Sequence, residues 1–424
     1  MDCSQTLREP GGPQSQSFTF TDYRAGFPLG RATFLAKPPG TFWYASGLFS
    51  MRPRLDRIGV CSGVLLLAYP CGWLVGQTPS KLKLDTGKEI FEAGCISCHG
   101  SDGRGQSPEL QGFERPRTFP DFTDCYAATP EPDVQWRAVI TNGGPARGFS
   151  QIMPSFRDLL TPEQIDKVIG YLRSMCDENS WPLGNLNLPR PLVTEKAFPE
   201  DEVVLTSTVN VQGAPGVGSS AIWEKRFGSG GQVEAVVPYN FVHYTGWQSG
   251  VGDMILGYKQ KVFFSRKSQS IISVGGEITA PTGDATKGTG SGSTIFEVFG
   301  AYGQLFPRAT FLQFQTGTEL PAHPDKVPRA YYARTAFGKT FARDHGLGRT
   351  WTPMMELVAD HDFATGASTN WSVVPQIQIP ISKRLHVLGS IGVSLPVNNT
   401  AERQKQLMFY LLWDFADGTL KEGW

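Results

Sequence analysis

The chain has 424 residues, which is long for one domain and suits two. Its hydrophobic content of 40% excludes a disordered chain, and it is too dilute for a membrane protein built of many helices. Lys plus Arg equals Asp plus Glu at 39 each, so no net positive field indicates a nucleic-acid partner. With 12% aromatic residues and 48 glycines, the composition favours many β-strands, a membrane barrel among the candidates.

The first eighty residues contain an export signal in an unexpected place. Residues 51–57 are basic, residues 58–80 carry no charge, and residues 64–68 are strongly apolar, which is typical of a secretory signal. We therefore predict that translation begins at Met51, that residues 1–50 are an untranslated or disordered extension, and that residues 51–76 are the signal peptide. An uncleaved single-pass anchor is the alternative, although Pro70 interrupts the apolar run and leaves it shorter than the ~20 residues of a span.

The segment Cys95-Ile96-Ser97-Cys98-His99 is a C-x-x-C-H motif, the attachment signature of a c-type haem. The two thiols form thioethers with the haem, and the adjacent histidine is then the proximal ligand of the iron. A zinc or redox C-x-x-C is the alternative for the isolated motif. The context favours haem, because Gly87 and Phe91 lie on the face of a predicted helix that leads into the motif, and a glycine-rich turn follows at residues 100–105.

A second candidate ligand lies further along the chain, in the segment Met153-Pro154. A methionine thioether is a suitable second axial ligand and raises the reduction potential of the iron. The segment 161–164 then reads as a capping box with a proline at the first helical position, and it predicts a helix through Leu172. Met175 lies on that helix, where we expect it to pack or to face water.

Taken together, residues 82–175 resemble a class I cytochrome c domain. The resemblance implies an all-α domain, assigned to residues 81–176, whose first and last helices cross where Gly87 and Phe91 meet Tyr171 and Leu172. It also implies one covalent haem c, whose cofactor-binding residues would be Cys95, Cys98, His99 and Met153. The metal ligands would be His99 and Met153. Both Pro108 and Pro116 are candidates for the carbonyl that orients the histidine.

Two further features complete the first half of the mature chain. Cys125 and Cys176 are left over, and because spare thiols of exported proteins usually pair, we predict a disulfide, with two independent thiols as the alternative. Residues 177–202 contain four prolines, which predicts a stiff, extended linker.

From residue 203 to 415 the hydrophobic period is two, as in strands with one apolar face. We predict twelve strands at about 203–212, 219–228, 232–244, 251–264, 269–281, 293–305, 309–321, 329–341, 350–363, 371–381, 385–396 and 403–415. Short and long connections alternate, apart from a longer turn at 342–349, which is typical of an antiparallel transmembrane β-barrel in the outer membrane. A soluble β-sandwich is the alternative. Residues 416–424 would be a C-terminal tail.

The alternation also assigns the faces of each strand. In 253–264 the apolar face has the even positions Met254, Leu256, Tyr258, Val262 and Phe264. In 385–395 it has the odd positions Leu385, Val387, Ile391, Val393 and Leu395. Polar residues such as Glu277, Glu356, Lys259 and Arg334 would face the lumen, either as a salt-bridged filling or as a polar conduit. The sequences around 252–259 and 275–277 resemble the transporter-like barrels of phenol meta-pathway operons, which implies a pore-forming barrel with no assigned substrate.

These features predict a monohaem cytochrome that transfers one electron in the periplasm and is anchored in outer-membrane lipid by a barrel. An even number of strands places both ends of the barrel on one rim, so the cytochrome would hang on the periplasmic side and meet redox protein partners there. The alternative is an outer-membrane channel or transporter, with a small-molecule substrate, whose uptake or gating is coupled to the cytochrome. We predict an electron carrier rather than an enzyme, because no nucleophile–base or paired-carboxylate arrangement stands out, and we name no catalytic residue.

Overall fold

The computed structural model describes residues 82–110, 112–243, 246–342 and 350–423. The predicted extension 1–50 and signal peptide 51–76 lie outside these ranges, as does most of the turn predicted at 342–349. Within the described ranges, no helix is both long enough and apolar enough to cross a membrane.

The first domain contains five short helices joined by turns and loops. They are α1 (Gly87–Gly94), α2 (Ile96–His99), α3 (Cys125–Ala128), α4 (Asp133–Asn142) and α5 (Pro162–Met175). The predicted capping box starts α5, where the Thr161 side chain accepts a hydrogen bond from the backbone amide of Gln164 and the Gln164 side chain accepts one from the backbone amide of Thr161. Because so much of the domain is irregular, the expectation of an all-α fold is supported only loosely.

Helices α1 and α5 cross at Gly87. A Cβ atom added there would lie 2.0 Å from the backbone oxygen of Lys167, so only a glycine lets the two backbones come this close. One turn further on, the rings of Phe91 and Tyr171 meet with their centroids 5.5 Å apart. This contact and the buried side chains of Val168 and Leu172 form the core of the domain. The predicted crossing of the first and last helices is confirmed.

A disulfide joins Cys125 to Cys176, which confirms the predicted pairing. Cys125 is the first residue of α3 and Cys176 follows the last residue of α5. The bond therefore ties the middle of the domain to its final helix.

The second domain is a closed antiparallel β-barrel. Its strands are β1 (Glu202–Asn210), β2 (Gly216–Phe227), β3 (Gly231–His243), β4 (Trp247–Val251), β5 (Met254–Ser265), β6 (Ser270–Ala280), β7 (Ile295–Phe306), β8 (Thr310–Pro321), β9 (Ala330–Lys339), β10 (Phe341–Ala342), β11 (Thr350–Asp362), β12 (Asn370–Pro380), β13 (Val387–Pro396) and β14 (Gln406–Asp414). Twelve of them close the ring; β4 pairs only with β3, and β10 only with β11. The predicted count of about twelve strands is confirmed.

The ring closes where its first strand meets its last, and two further pairs, β3 with β5 and β9 with β11, each skip a short strand between them. Strand β1 pairs with β14, where Glu202 lies opposite Asp414, and β9 pairs with β11, where Met354 lies opposite Gly338. Both ends of the barrel therefore lie on one rim, which we call the inner rim. The connections 228–230, 266–269 and 307–309 on this rim are short, whereas 281–294 and 397–405 on the opposite rim are longer.

The outer face of the barrel is apolar around the ring. Exposed residues include Leu205, Val237, Leu256, Ile278, Val298, Leu357, Ile391 and Leu411. Exposed aromatic side chains stand near both rims, Trp223, Phe227, Phe306 and Trp351 near the inner rim and Phe241, Trp247, Tyr331 and Trp371 near the opposite one. An apolar band flanked by two aromatic girdles is the surface that a bilayer-spanning barrel presents to lipid.

Two residues depart from the predicted faces. A β-bulge between Lys261 and Phe263 shifts the register of β5 by one residue, so Phe264 turns inward and packs against the lumen cluster of Ile271 and Phe299. Val387 has the parity of the outward-facing Ile391, yet it is only 2% exposed at the start of its strand. Hydrophobic periodicity alone could not reveal either the bulge in β5 or the burial of Val387 at the start of β13.

The Pro-rich segment does not span open space between the domains, since residues 184–201 lie inside the barrel; we call this segment the plug. Its atoms contact inward-facing side chains of strands around the ring, among them Glu224, Gln232, Lys259, Ser273, Gln313, Gln315, Glu356, Gln376 and Tyr410. Leu186 and Phe198 of the plug are each 1% exposed. The plug enters the lumen from the inner rim and fills that half.

Charges in the plug are matched by charges on the barrel wall. Arg190 bonds Glu202 and Glu224, with its Nη1 2.8 Å from Oε2 of Glu224, and Lys259 on β5 bonds Glu195 of the plug. The carboxylate of Glu356 accepts hydrogen bonds from the backbone amides of Leu192 and Thr194, at 3.0 and 2.7 Å. The charges of Arg190, Lys259 and Glu356 are thus matched by other groups of the chain, as buried charges require.

Candidate metal centre

The C-x-x-C-H motif forms a single tight turn. Helix α1 ends at Gly94, Cys95 is the junction, and the amide of His99 donates to the carbonyl of Cys95 at 2.9 Å. This geometry places Cys95, Cys98 and His99 side by side. Both cysteines keep their thiols out of disulfides. Two thiols and one imidazole are therefore presented together by three residues of one turn.

The imidazole of His99 lies against two aromatic rings. The ring of Phe119 stacks on it with centroids 4.9 Å apart, and the ring of Phe122 lies 5.1 Å away. Burial lowers the pKa of His99 to about 4, so the ring is neutral near pH 7 and keeps a nitrogen lone pair for a metal. Burial likewise raises the pKa of the Cys95 thiol to about 11.

The Nδ1 atom of His99 is buried and has no hydrogen-bond partner among the residues that the structure describes. Of the two prolines considered from the sequence, Pro116 uses its carbonyl to accept the amide of Phe119 at 3.0 Å, which shapes the turn that carries the stacked ring. Pro108 begins a short 3₁₀ turn, Pro108–Leu110. A buried imidazole nitrogen without a partner, next to two thiols, is a donor set that fits a haem c.

The glycine-rich turn after the motif is required by its backbone. Gly100, Gly103 and Gly105 have φ angles of 70°, 81° and 94°, a region that residues with side chains rarely adopt. A Cβ atom at Gly103 would lie 2.4 Å from the sulfur of Met175. The sulfur of Met175 is thus packed against the turn and Phe122, in agreement with the packing role expected from the sequence.

Met153 lies in a loop, residues 143–156, that we call the distal loop. Its backbone oxygen accepts the amide of Gly144 at 3.0 Å, and the amide of Phe156 donates to the carbonyl of Ile140 at 3.0 Å. The ring of Phe156 packs beside Gly94, the last residue of α1, where a Cβ atom would approach it to 3.3 Å. The fold therefore brings the distal loop to the end of α1 that precedes Cys95.

The domain that contains the motif is seated on the inner rim. The hydroxyl of Tyr126 donates to Asp201 at the end of the plug, and Lys225 of β2 donates to both of these residues. The guanidinium of Arg226 bonds the hydroxyl of Thr129 at 3.3 Å and lies 5.1 Å from the ring centroids of Tyr126 and Trp181. Charged and aromatic groups of the barrel mouth thus hold the helical domain directly.

No sequence pattern indicated the aromatic pair Phe119 and Phe122 or the residues that join the helical domain to the inner rim. Phe119 and Phe122 lie in a segment without helical or strand periodicity, so their only signal was their position a few residues beyond the glycine turn. The seating contacts join residues nearly a hundred positions apart, such as Tyr126 and Lys225, and no local pattern indicates such a pair.

Comparison with known proteins identifies the family of the first domain. Residues 84–175 match the family model of cytochrome c, so this part of the chain is a cytochrome c domain. No curated protein sequence matches the chain. Among the solved structures that resemble the chain, the KdgM porin in complex with disordered oligogalacturonate has 9% identity and a TM-score of 0.35, covering 50% of this chain and 99% of that one. An outer-membrane channel from Pseudomonas putida F1 has 12% identity and a TM-score of 0.39, covering 53% and 99%.

Proposed function

We propose that this protein is a monohaem c-type cytochrome that transfers one electron in the periplasm and is anchored in the outer membrane by its barrel. One observation carries the proposal: a cytochrome c domain with a complete C-x-x-C-H turn is seated on the rim of a closed barrel whose outer face is apolar. The chain contains one such motif, Cys95 to His99, so we propose one haem.

Four residues would hold the haem. Cys95 and Cys98 would form the two thioethers, His99 would be the proximal ligand, and Met153 the distal one. A haem held in this way supplies reversible one-electron chemistry at iron, with a potential raised by the thioether sulfur. Phe119 and Phe122 cover the imidazole and exclude water from it. Met175 is a poorer candidate than Met153, because its sulfur is already packed against Gly103.

The proposed location of the cytochrome domain follows from the lengths of the connections on the two barrel rims. In outer-membrane barrels the short turns face the periplasm and the longer loops face the outside. Both barrel ends lie on the rim of short turns, and so does the cytochrome domain. We therefore place the cytochrome in the periplasm, where soluble redox proteins would be its electron donors and acceptors. We propose no catalytic residue, and the cytochrome could serve a partner oxidoreductase as its electron relay.

A channel or transporter coupled to the cytochrome is the second candidate. One observation favours it: in the half of the lumen beyond the plug, the carboxylates of Glu277, Glu297 and Glu319 lie in register on adjacent strands. Like charges placed directly opposite destabilise a sheet, so a role in attracting a cationic solute would explain them. The plug disfavours an open pore, because it fills the other half of the same lumen.

Two experiments test these proposals. A redox titration of purified protein should give a single one-electron transition, and Met153→Ala should lower its midpoint, since loss of the thioether favours Fe(III). Protease added to intact cells should cut within 282–292 or 364–370 and spare residues 81–176. Cleavage of the cytochrome from outside would invert the topology. In planar bilayers the wild-type protein should not conduct, and steady conductance with the plug in place would instead support the channel.

A further inference from the structure

The turn between β12 and β13 contacts the haem-binding domain through Arg384. This side chain is 8% exposed, and its guanidinium donates to three oxygens: the carbonyl of Gly148, the carbonyl of Asp417 and Oε2 of Glu422, each at 3.1 Å. Gly148 belongs to the distal loop, whereas Asp417 and Glu422 belong to the C-terminal tail. One buried arginine of the inner rim therefore links the barrel, the tail and the loop that carries Met153.

The distal loop is held at its tip by this contact. The guanidinium of Arg384 lies 4.7 Å from the ring centroid of Phe149, next to the carbonyl that it bonds. The amide of Phe149 donates to the carbonyl of Gly144, and the amide of Gly144 donates to the carbonyl of Met153, both at 3.0 Å. Two backbone hydrogen bonds thus connect the anchored tip of the loop to the proposed distal ligand.

The loop has little regular structure of its own to hold its shape. It contains one short 3₁₀ turn, Gly144–Arg147, between Gly143 and Gly148, whose φ angles are 80° and 67°. The backbone of Gly148 also packs tightly on the tail, since a Cβ atom there would lie 2.6 Å from the Cα of Gly423. Because a turn with a glycine on each side loses much entropy on ordering, an external anchor has a large share in fixing this part of the loop.

The segment on the other side of the metal centre contacts Glu422 as well. Oε1 of Glu422 lies 2.5 Å from a guanidinium nitrogen of Arg117, in the segment that leads to Phe119, the ring stacked on His99. Glu422 is thus shared between Arg384 of the barrel and Arg117 of the cytochrome. Hydrogen bonding, first of all with the backbone of Thr419, lowers the pKa of Glu422, so it is a carboxylate near neutral pH.

We infer that Arg384 is a positioning residue, through which the inner rim of the barrel holds the distal loop in the conformation that keeps the Met153 sulfur at the iron. The inference rests on the proposed role of Met153 as distal ligand. The barrel would then do more than anchor the cytochrome, because a change in the turn between β12 and β13 would be transmitted through the distal loop to the redox centre. Loss of a hydrogen bond to a charged group shifts a conformational equilibrium by about tenfold or more.

The test uses the full-length haem-loaded protein purified in detergent. Variants Arg384→Met and Arg384→Lys are compared with Glu422→Gln and with the control Lys261→Met, which removes a different rim contact, from Lys261 to the carbonyl of Ser180. Three quantities are measured: the affinity of added imidazole for the iron, the reduction potential, and hydrogen exchange across residues 144–153. Heat-modifiable gel mobility reports whether the barrel of each variant is folded.

Arg384→Met should raise the apparent imidazole affinity about tenfold, lower the potential and speed exchange in residues 144–153, because the loop opens more often. Arg384→Lys should recover part of each change, and Glu422→Gln should shift all three less far in the same direction. Lys261→Met should match the wild type. If Arg384→Met does not fold, the Glu422→Gln result decides, and no shift in that variant contradicts the inference.

A folded Arg384→Met variant with wild-type imidazole affinity and wild-type exchange would overturn the inference, and so would an equal shift in Lys261→Met. Met153→Ala separates this failure from failure of the proposed function. If that variant binds imidazole as the wild type does, Met153 is not the distal ligand. If its affinity rises while Arg384→Met stays at the wild-type value, the ligand assignment holds and only the role of Arg384 fails.

Discussion

The cytochrome domain and the barrel lumen both bury polar groups, but they treat them differently. In the lumen, the carboxylate of Glu356 is bonded by the plug, and Arg190 is surrounded by acidic partners. In the cytochrome, Nδ1 of His99 is buried without a partner beside two cysteines that form no disulfide. Among the described residues, Oε1 of Glu224 also lacks a partner, so the contrast is one of charge. The lumen buries ion pairs that hold the plug, whereas the metal centre buries a neutral imidazole beside two thiols.

The sharpest test of this contrast inside the barrel is Arg190→Met. Removing the guanidinium leaves Glu202 and Glu224 as buried, uncompensated charges, which should cost about 3–5 kcal/mol. The free energy of unfolding, measured by denaturant titration in detergent, should fall by that amount. Lys287→Met removes a solvent-exposed pair with Asp284 and should change it by no more than about 0.5 kcal/mol. Equal effects would mean that the plug is not held by charge.

In the cytochrome domain the largest stability effect should come from the disulfide. Replacing Cys125 and Cys176 together by alanine opens a loop with a sequence separation of 51 residues, which costs about 4 kcal/mol by chain entropy. The unfolding transition of the cytochrome should move accordingly, while the heat-modifiable mobility of the barrel stays unchanged. If the barrel is lost as well, the two domains fold as one unit and the contrast between them is weaker than we describe.

The barrel faces provide a smaller, position-dependent test. Leu256 is 66% exposed on the outer face, and Leu256→Arg should cost about 2–4 kcal/mol if it lies near the bilayer midplane. Gly257→Arg places the same charge on the lumen side, near Glu277 and Glu234, and should be milder. Folding yield into lipid vesicles, read from gel mobility, compares the two. If both variants fold equally well, the region is not a lipid-facing barrel.

Much of this architecture could be predicted because its signals are local. The C-x-x-C-H motif, the capping box at Thr161 and the alternation of the strands each depend on residues within about ten positions of one another. Every predicted barrel strand overlaps an observed one, and the crossing at Gly87 follows from a small residue at the required helical position.

Most of the features that could not be predicted are nonlocal. The prolines of residues 177–202 indicate an extended chain, but nothing in their spacing shows that the chain enters a barrel formed later in the sequence. Gly148 and Arg384 are 236 positions apart, and only the closed ring brings them together. The inward turn of Phe264 depends on one bulge, which hydrophobic periodicity does not encode. Sequence patterns specify elements well, whereas contacts between elements depend on the complete fold.

The central claim is that Cys95 and Cys98 attach one haem to a protein of the outer membrane. The most direct test is pyridine haemochrome spectroscopy on the protein purified from outer membranes, together with haem staining after denaturing electrophoresis. We predict the spectrum of a haem with two thioether bonds, one haem per chain, and loss of normal attachment in both Cys95→Ala and Cys98→Ala. Haem that is absent from the wild-type chain, or that remains stained at wild-type intensity in either variant, would contradict the account.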